Sequence, residues 1–367
     1  MKILLIGGGS GGSVAPLLAI ASELKSLNPK TQFLLIGTKN GPEKNMASVS
    51  GIPFSYITAG KFRRYFSLKN FLAPFLVFVG IIQSFKIIRE FKPSCAVGTG
   101  SYVQVPVILV CWFLKIPVLI HQQDIFPSLA NKLCQFFSSK ITVTFQESTK
   151  SFFSSFGIFY KKKNADKVTL TGNPFRKELL TGSKSMAVQK IGLRPDLPTL
   201  LVLGGGTGSE FINQLILNSL ETLTKSIQII HSTGKNKMVF VKHENYFPFE
   251  FITEMADVYE VADIVVARAG LSTLTELSFL KKLSIIIPMP SSHQEYNALL
   301  LARENAAIIL QQKKITSEIF VNIIRKLLFE HEASEALKYN INRIMTHSGS
   351  EKISEIILKL ANEHVRK

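Results

Sequence analysis

The stretch Ile3-Leu4-Leu5-Ile6, followed by Gly7-Gly8-Gly9-Ser10-Gly11-Gly12-Ser13, decides how this chain folds. A short apolar run bounded by glycines predicts a strand buried on both faces, as strands of parallel sheets are. The helical pattern after it covers about residues 14–27, with Pro16 in the first turn, where a missing N–H loses no intrahelical bond. Further apolar runs at residues 33–36, 96–98, 118–121 and 141–143 alternate with helical patterns. That alternation predicts a parallel, doubly wound sheet.

Past the midpoint the device recurs. Thr199–Leu203 reads as a buried strand, Gly204-Gly205-Gly206-Thr207-Gly208-Ser209 as a turn, and the pattern through about residue 223 as a helix. Strands are expected at 228–231, 238–241, 264–267 and 284–288. Thr171-Gly172-Asn173-Pro174 is rich in turn formers and suits a linker. The sequence therefore predicts an α/β protein, two Rossmann-like domains with parallel sheets facing each other across a cleft. The domains cover 1–173 and 174–345, and the tail 346–367 carries a last helix at about 351–366. Spacing alone leaves open whether that helix closes the second domain or returns to the first.

With 367 residues, 46% of them hydrophobic, the chain has material for two cores. Its 43 basic against 26 acidic residues give +17, which suits anionic partners: nucleic acid, acidic lipid head groups or phosphorylated substrates. A general enrichment in lysine accounts for that charge as well. Cys95, Cys111 and Cys134 form no CxxC pair and leave one over under any pairing, the pattern of a reducing cytosol without structural zinc. Residues 71–82 offer about 12 apolar positions where a bilayer requires ~20. Gln104, Pro106, Lys115 and Pro117 interrupt residues 101–120, and no signal-peptide pattern opens the chain. A soluble or peripheral protein is expected.

A glycine loop between strand and helix lets backbone N–H groups approach an anion, aided by the helix dipole. Two loops at equivalent places suggest one for each phosphate group of a substrate. Gly7, Gly9 and Gly12 also match the GxGxxG dinucleotide fingerprint, but Gly37-Thr38-Lys39 stands where that fingerprint expects an acidic residue. A dehydrogenase is disfavoured, and the lack of GxxxxGK[ST] excludes a Walker-type ATPase. No recognised nucleic-acid motif accompanies the charge.

Arg268-Ala269-Gly270-Leu271-Ser272-Thr273-Leu274-Thr275-Glu276 follows an apolar strand and enters a helix. Gly270 supplies the turn, and Ser272 or Thr273 caps the helix or meets a phosphate. Glu276, expected near the first turn, either accepts two hydroxyl hydrogen bonds, as from a ribose, or complements the helix dipole. His293-Gln294-Glu295-Tyr296-Asn297 lies beyond the strand at 284–288, at the carboxyl edge where such sheets bind ligands. His293, Gln294 and Asn297 suit sugar hydroxyls, whereas Glu295 and Tyr296 suit a capped surface helix.

An ordered set of motifs resembles one family over essentially the whole chain. It comprises the first glycine loop, Tyr102-Val103 with Pro106, His121-Gln122-Gln123, Gly172-Asn173-Pro174 with Arg176, and the second glycine loop. Phe251-Ile252 with Met255, Arg268 through Glu276, and His293-Gln294 with Asn297 complete it. The family is that of the MurG transferases, which move N-acetylglucosamine from its UDP sugar onto lipid I in peptidoglycan synthesis. The resemblance implies a GT-B fold, with the lipid on the first domain and the UDP sugar mainly on the second. It implies that Ile252 faces the uracil and Glu276 the ribose. Arg176 with Gly205, Gly206, Thr207 and Gly208 would face the diphosphate, and His293 with Gln294 the sugar. Arg268, Gly270, Ser272, Thr273 and Asn297 complete the donor residues, and Ser10, Gly11, Gly12 and Asp124 are substrate-binding residues of the first domain. The implied partners are UDP-N-acetylglucosamine, undecaprenyl-linked lipid I, an anionic membrane surface at the cytoplasmic face of the cell membrane, and cell-wall synthesis proteins. Nucleic acid and cofactors are not expected.

The chain departs from the family pattern in three places. Ser13 stands where a histidine usually ends the first loop, His121-Gln122-Gln123-Asp124 where His-Glu-Gln-Asn is usual, and Gly206 where serine is common. A hydroxyl is far too weakly basic to replace imidazole at neutral pH, and the carboxylate has moved from the second position to the fourth. An inverting displacement needs a base near the acceptor hydroxyl and positive potential at the leaving diphosphate. Asp124 is the expected base and His121 the second candidate, with Ser13 in the family's catalytic place. No DxD arrangement occurs, so no metal is expected.

Lys61-Phe62-Arg63-Arg64-Tyr65-Phe66 with Lys69 and Phe71 interleaves cations and aromatics before the apolar run 75–82, a pattern suited to an anionic membrane surface. Phe159-Tyr160-Lys161-Lys162-Lys163 offers a second touch. A buried helix with a solvated basic loop explains part of the same pattern. Two alternatives stay open: a related GT-B transferase with another lipid-linked or glycolipid acceptor, and a nucleotide-sugar-binding protein with impaired catalysis, motivated by Ser13 and Gln122.

Overall fold

The structure, a computed structural model, describes residues 1–60, 69–154, 167–238, 241–345 and 349–365. The chain divides into two compact units, Met1–Arg176 with Thr346–Lys367, and Lys177–Met345.

The first unit is built on β1 (Lys2–Ile6), β2 (Gln32–Gly37), β3 (Phe54–Tyr56), β4 (Cys95–Gly98), β5 (Val118–Gln122), β6 (Lys140–Val143) and β7 (Val168–Leu170). They form one parallel sheet in the order β3-β2-β1-β4-β5-β6-β7. Side chains of β1 alternate between its faces. Ile3 and Leu5 pack with Leu17, Ile20 and Leu24 of α1 (Ala15–Leu27), whereas Leu4 and Ile6 join Val107, Ile108 and Cys111 of α4 (Gln104–Phe113). Each fully buried aliphatic side chain of this kind contributes about 1.5–3 kcal/mol. All three cysteines are buried and unpaired.

Between them run α2 (Glu43–Val49) and α3 (Lys69–Phe91). Gly80 lets α3 approach the backbone, since a Cβ there would lie 2.4 Å from the Thr58 carbonyl oxygen. The Thr58 N–H donates to Gln83 Oε1 at 2.6 Å. Among the described residues no helix is long and apolar enough to cross a membrane.

The last helix, Gly349–Val365, packs on the first unit. Ile353, Ile357 and Ala361, each one turn apart, are fully buried in the cluster that holds Ile3, Leu5 and Leu17. Ser350 Oγ accepts from the Phe175 N–H (3.0 Å) and lies 3.1 Å from the Phe175 carbonyl oxygen, to which it donates. The segment Thr171-Gly172-Asn173-Pro174 is accordingly no solvent-exposed linker. It is buried, because Gly349 packs directly on the Asn173 carbonyl.

The second unit holds β8 (Thr199–Leu203), β9 (Gln228–Ser232), β10 (Tyr246–Phe249), β11 (Ile264–Ala267), β12 (Ser284–Ile286) and β13 (Ile308–Ile309), all parallel, in the order β10-β9-β8-β11-β12-β13. The strand expected at 238–241 is corrected. Met238 and Val241 lie outside any strand, positions 239 and 240 fall outside the described residues, and the edge strand is β10. Pro248 obscures β10 in the sequence, but an edge position tolerates its missing N–H. In each sheet strand order reverses beside the strand that precedes a glycine loop, β1 in one and β8 in the other. Ligands of doubly wound sheets bind at such switch points.

Candidate active site

In the second unit the glycine loop leaves β8 with Gly205, Gly206 and Thr207 exposed. A bond from Gly208 N–H to the Gly205 carbonyl (2.9 Å) closes the turn, which needs φ of +84° at Gly205 and +70° at Gly208. Ser209 caps the helix Glu210–Leu223 by accepting from the Ile212 N–H at 3.3 Å.

Beneath the loop lies a buried polar chain. Asn213 Nδ2 donates to the Thr233 carbonyl (3.0 Å), so its Oδ1 accepts from His231 Nε2 (3.1 Å), and His231 Nδ1 accepts from the Tyr246 hydroxyl (2.9 Å). Burial lowers the His231 pKa from 6.5 to about 4, which keeps this tautomer neutral.

Arg268 departs from the expectation of a substrate ligand. Its guanidinium donates to the carbonyls of Ile287 (3.0 Å) and Pro288 (3.1 Å), to Ser209 Oγ (2.7 Å) and to Gln312 Oε1 (3.0 Å). It is a clamp that fixes the β12 exit against the start of the helix after the glycine loop. Burial lowers its pKa.

Gly270 is the N-cap of the helix Leu271–Phe279, so Ser272 and Thr273 lie within its first turn rather than at the N-cap position expected of one of them. Glu276 lies in the second turn, beyond the reach of the dipole argument. Its Oε2 instead accepts from the hydroxyl of the buried Tyr259 at 2.8 Å. Tyr259 was not visible as a site residue in the sequence, because nothing local links the two helices that carry the pair.

His293 is exposed at the start of the helix Gln294–Arg303. Gln294 Oε1 accepts from the Met289 N–H (3.1 Å), and the buried Asn297 donates to the Ala269 carbonyl (3.0 Å), bracing the Gly270 turn. The Ile252 side chain is buried beside an exposed Phe251.

The first unit uses its glycine loop differently from the expectation of a phosphate cradle. The fully buried Glu43 places its carboxylate 3.3 Å from the Gly9 N–H and also accepts from the N–H and hydroxyl of Thr38. An internal anion thus occupies part of the loop. Ser13 Oγ donates to the Gly8 (3.2 Å) and Ser10 (3.0 Å) carbonyls, and Ser101 Oγ also donates to Gly8 (2.8 Å). Ser13 is a brace of the turn rather than a base. The Tyr102 ring lies against Gly9, its phenol pushed up by burial and then by the Glu43 charge. Ser10 and Gly12 remain exposed and Gly11 is half-buried.

His121 is fully buried at the end of β5. Nε2 donates to Asn173 Oδ1 (2.9 Å), and Nδ1 accepts from Thr142 Oγ1 (3.0 Å). Burial lowers its pKa from 6.5 to about 4 against the opposing effect of Asn173. With both nitrogens engaged inside the protein, His121 is corrected from candidate base to packed strand-end histidine. Gln122 is buried too. Its Nε2 donates to the carbonyls of Asp124 (2.8 Å) and Phe126 (3.0 Å), while Oε1 accepts from Asn131 Nδ2 (2.7 Å) and the Ser128 N–H (3.3 Å). The half-buried Asp124 therefore sits on a loop pinned at three backbone points. Arg176, half-buried, ends the main segment of the first unit. Phe62, Arg63, Arg64, Tyr65 and Phe66 fall outside the described residues, as does the side chain of Phe71.

Residues 3–143 match the glycosyltransferase family 28 N-terminal domain, and residues 199–356 the glycosyltransferase family 28 C-terminal domain. A UDP-N-acetylglucosamine–N-acetylmuramyl-(pentapeptide) pyrophosphoryl-undecaprenol N-acetylglucosamine transferase of Clostridium kluyveri is 37% identical over 89% of this chain and 91% of its own length. The transferase of the same name from Clostridium botulinum (strain Kyoto / Type A2) is 34% identical over 98% and 99%. Among solved structures, Acinetobacter baumannii MurG superposes with a TM-score of 0.66 at 22% identity, covering 98% of this chain and 99% of that one, a likeness of fold. The chain belongs to glycosyltransferase family 28 and, within it, to the MurG family of N-acetylglucosamine transferases.

Proposed function

We propose that this chain transfers N-acetylglucosamine from UDP-N-acetylglucosamine to the 4-hydroxyl of the muramyl sugar of lipid I, with inversion. One observation carries the reading. The carboxyl edge of the second sheet gathers an open glycine loop, a carboxylate oriented by Tyr259, and the exposed His293. Loop amides suit a diphosphate, the Glu276 carboxylate suits paired ribose hydroxyls, and His293 with Gln294 suits the sugar.

The first unit supplies the acceptor side. Asp124 takes the proton of the 4-hydroxyl as that oxygen bonds to the anomeric carbon. The bond from that carbon to the diphosphate oxygen breaks, and its electron pair leaves on UDP. Gln122 supports this role, because its amide donates to the Asp124 and Phe126 carbonyls. An ionised glutamate there has no hydrogen to offer them, so the glutamine holds the loop that carries Asp124 in this conformation.

A lipid acceptor also calls for a membrane-facing surface. Phe75, Phe78 and Ile82 share one stripe of α3 and are 64%, 59% and 58% exposed. Trp112 and Phe113 stand exposed on α4, which packs on α3, and Lys86 and Arg89 follow along α3. Such a surface fits peripheral docking on anionic lipid. Phe75→Ser with Phe78→Ser is expected to abolish sedimentation with anionic vesicles, and undiminished sedimentation would remove this surface from the account.

The direct test is radiolabelled transfer to lipid I with several UDP sugars compared. Label from UDP-N-acetylglucosamine is expected in the lipid product. Preference for another UDP sugar would overturn the donor assignment, and binding without transfer would favour impaired catalysis.

A further inference from the structure

We propose that Lys237 contacts the donor's phosphates as a second cation of the diphosphate site, an inference that rests on the UDP-sugar reading above. Lys237 ends the turn after β9, where its N–H donates to the Gly234 carbonyl at 3.0 Å. That turn and the second glycine loop interlock. A Cβ on Gly234 would lie 2.4 Å from Gly208 Cα, and one on Gly208 would lie 2.1 Å from the Thr233 carbonyl oxygen. Neither turn shifts without the other, and the buried Asn213–His231–Tyr246 chain holds both from below.

From this fixed turn the half-buried Lys237 side chain reaches the loop, where Nζ donates to the Gly208 carbonyl at 3.3 Å. An ammonium has three N–H donors. One meets Gly208, the last residue of the loop whose Gly205, Gly206 and Thr207 are exposed, and two donors remain. Glu250, which follows β10, accepts from the Asn236 N–H of this turn at 3.1 Å. Arg268 has four hydrogen bonds to protein acceptors and is not available for the role. A diphosphate on the loop amides lies next to Lys237, whose charge opposes the charge that grows on the leaving oxygen.

The test is titration of the full chain, Lys237→Met and Lys237→Arg with UDP and with uridine, which lacks phosphate. Lys237→Met is expected to weaken UDP by about tenfold, the scale of a charge-assisted hydrogen bond, and to leave uridine unchanged. Lys237→Arg, which keeps the charge, is expected to retain most UDP affinity. An unchanged ratio of UDP to uridine affinity in Lys237→Met would make the lysine a staple between turns and overturn the inference. Failure of the unsubstituted chain to bind UDP would overturn the donor reading itself, and this inference with it.

Discussion

Gln122 and Asp124 act through one loop, so their substitutions are expected to couple. Asp124→Asn removes the proposed base while keeping shape, and turnover at saturating donor should fall by about 10²–10⁴ with UDP affinity unchanged. Near-normal turnover would exclude Asp124. Gln122→Glu loses both donors to the loop carbonyls. It should lower kcat in the otherwise native chain yet add little to Asp124→Asn, as residues sharing one function do. Full additivity would mean that Gln122 acts elsewhere. At this scale loop chemistry in the sequence marked Gly205 through Gly208, Glu276 and His293, which the structure places after β8, β11 and β12 of one sheet. It missed Glu43, Tyr259 and Lys237, whose partners lie across the fold. The one available signal for Glu43 was an acid shortly after β2, near where a dinucleotide fingerprint expects one.

Elements were legible where periodicity and glycine boundaries coincide. β8 runs over Thr199–Leu203 and β11 over Ile264–Ala267, as their apolar runs indicate. β10 was not, because Pro248 argues against a strand unless edge position is known. The docking of the last helix was equally hidden, since an apolar stripe does not name the surface it covers. Ile357→Ala opens a cavity in that contact and should cost about 2–5 kcal/mol. Trp112, the only tryptophan, lies in the first unit, so its fluorescence reports that unit's urea transition. The expected outcome is a lower midpoint, and an unchanged one would show that the helix adds no stability.

Among the described residues each unit buries one neutral histidine, His121 in the first and His231 in the second. Each has a folded pKa of about 4 against an ordinary 6.5, lowered by burial. Between those values the unfolded chain binds the extra proton, so stability rises with pH there. It is fully present above about 6.5 and declines toward pH 4, by on the order of 3 kcal/mol per histidine. Urea midpoints should fall from pH 7 to pH 5, and His231→Gln should flatten the part owed to the second unit. Midpoints independent of pH in that window would contradict the neutral, buried tautomers.

Transfer chemistry itself is read most directly from the product. The full chain is incubated with UDP-N-acetylglucosamine, an α-linked donor, and lipid I, with a chelator present, and the anomeric coupling of the new linkage is measured by proton NMR. Direct displacement with a single acceptor-side base predicts a β-linked, 4-substituted disaccharide formed without added metal. An α linkage, release of free N-acetylglucosamine alone, or product only after a divalent metal is restored would contradict the account.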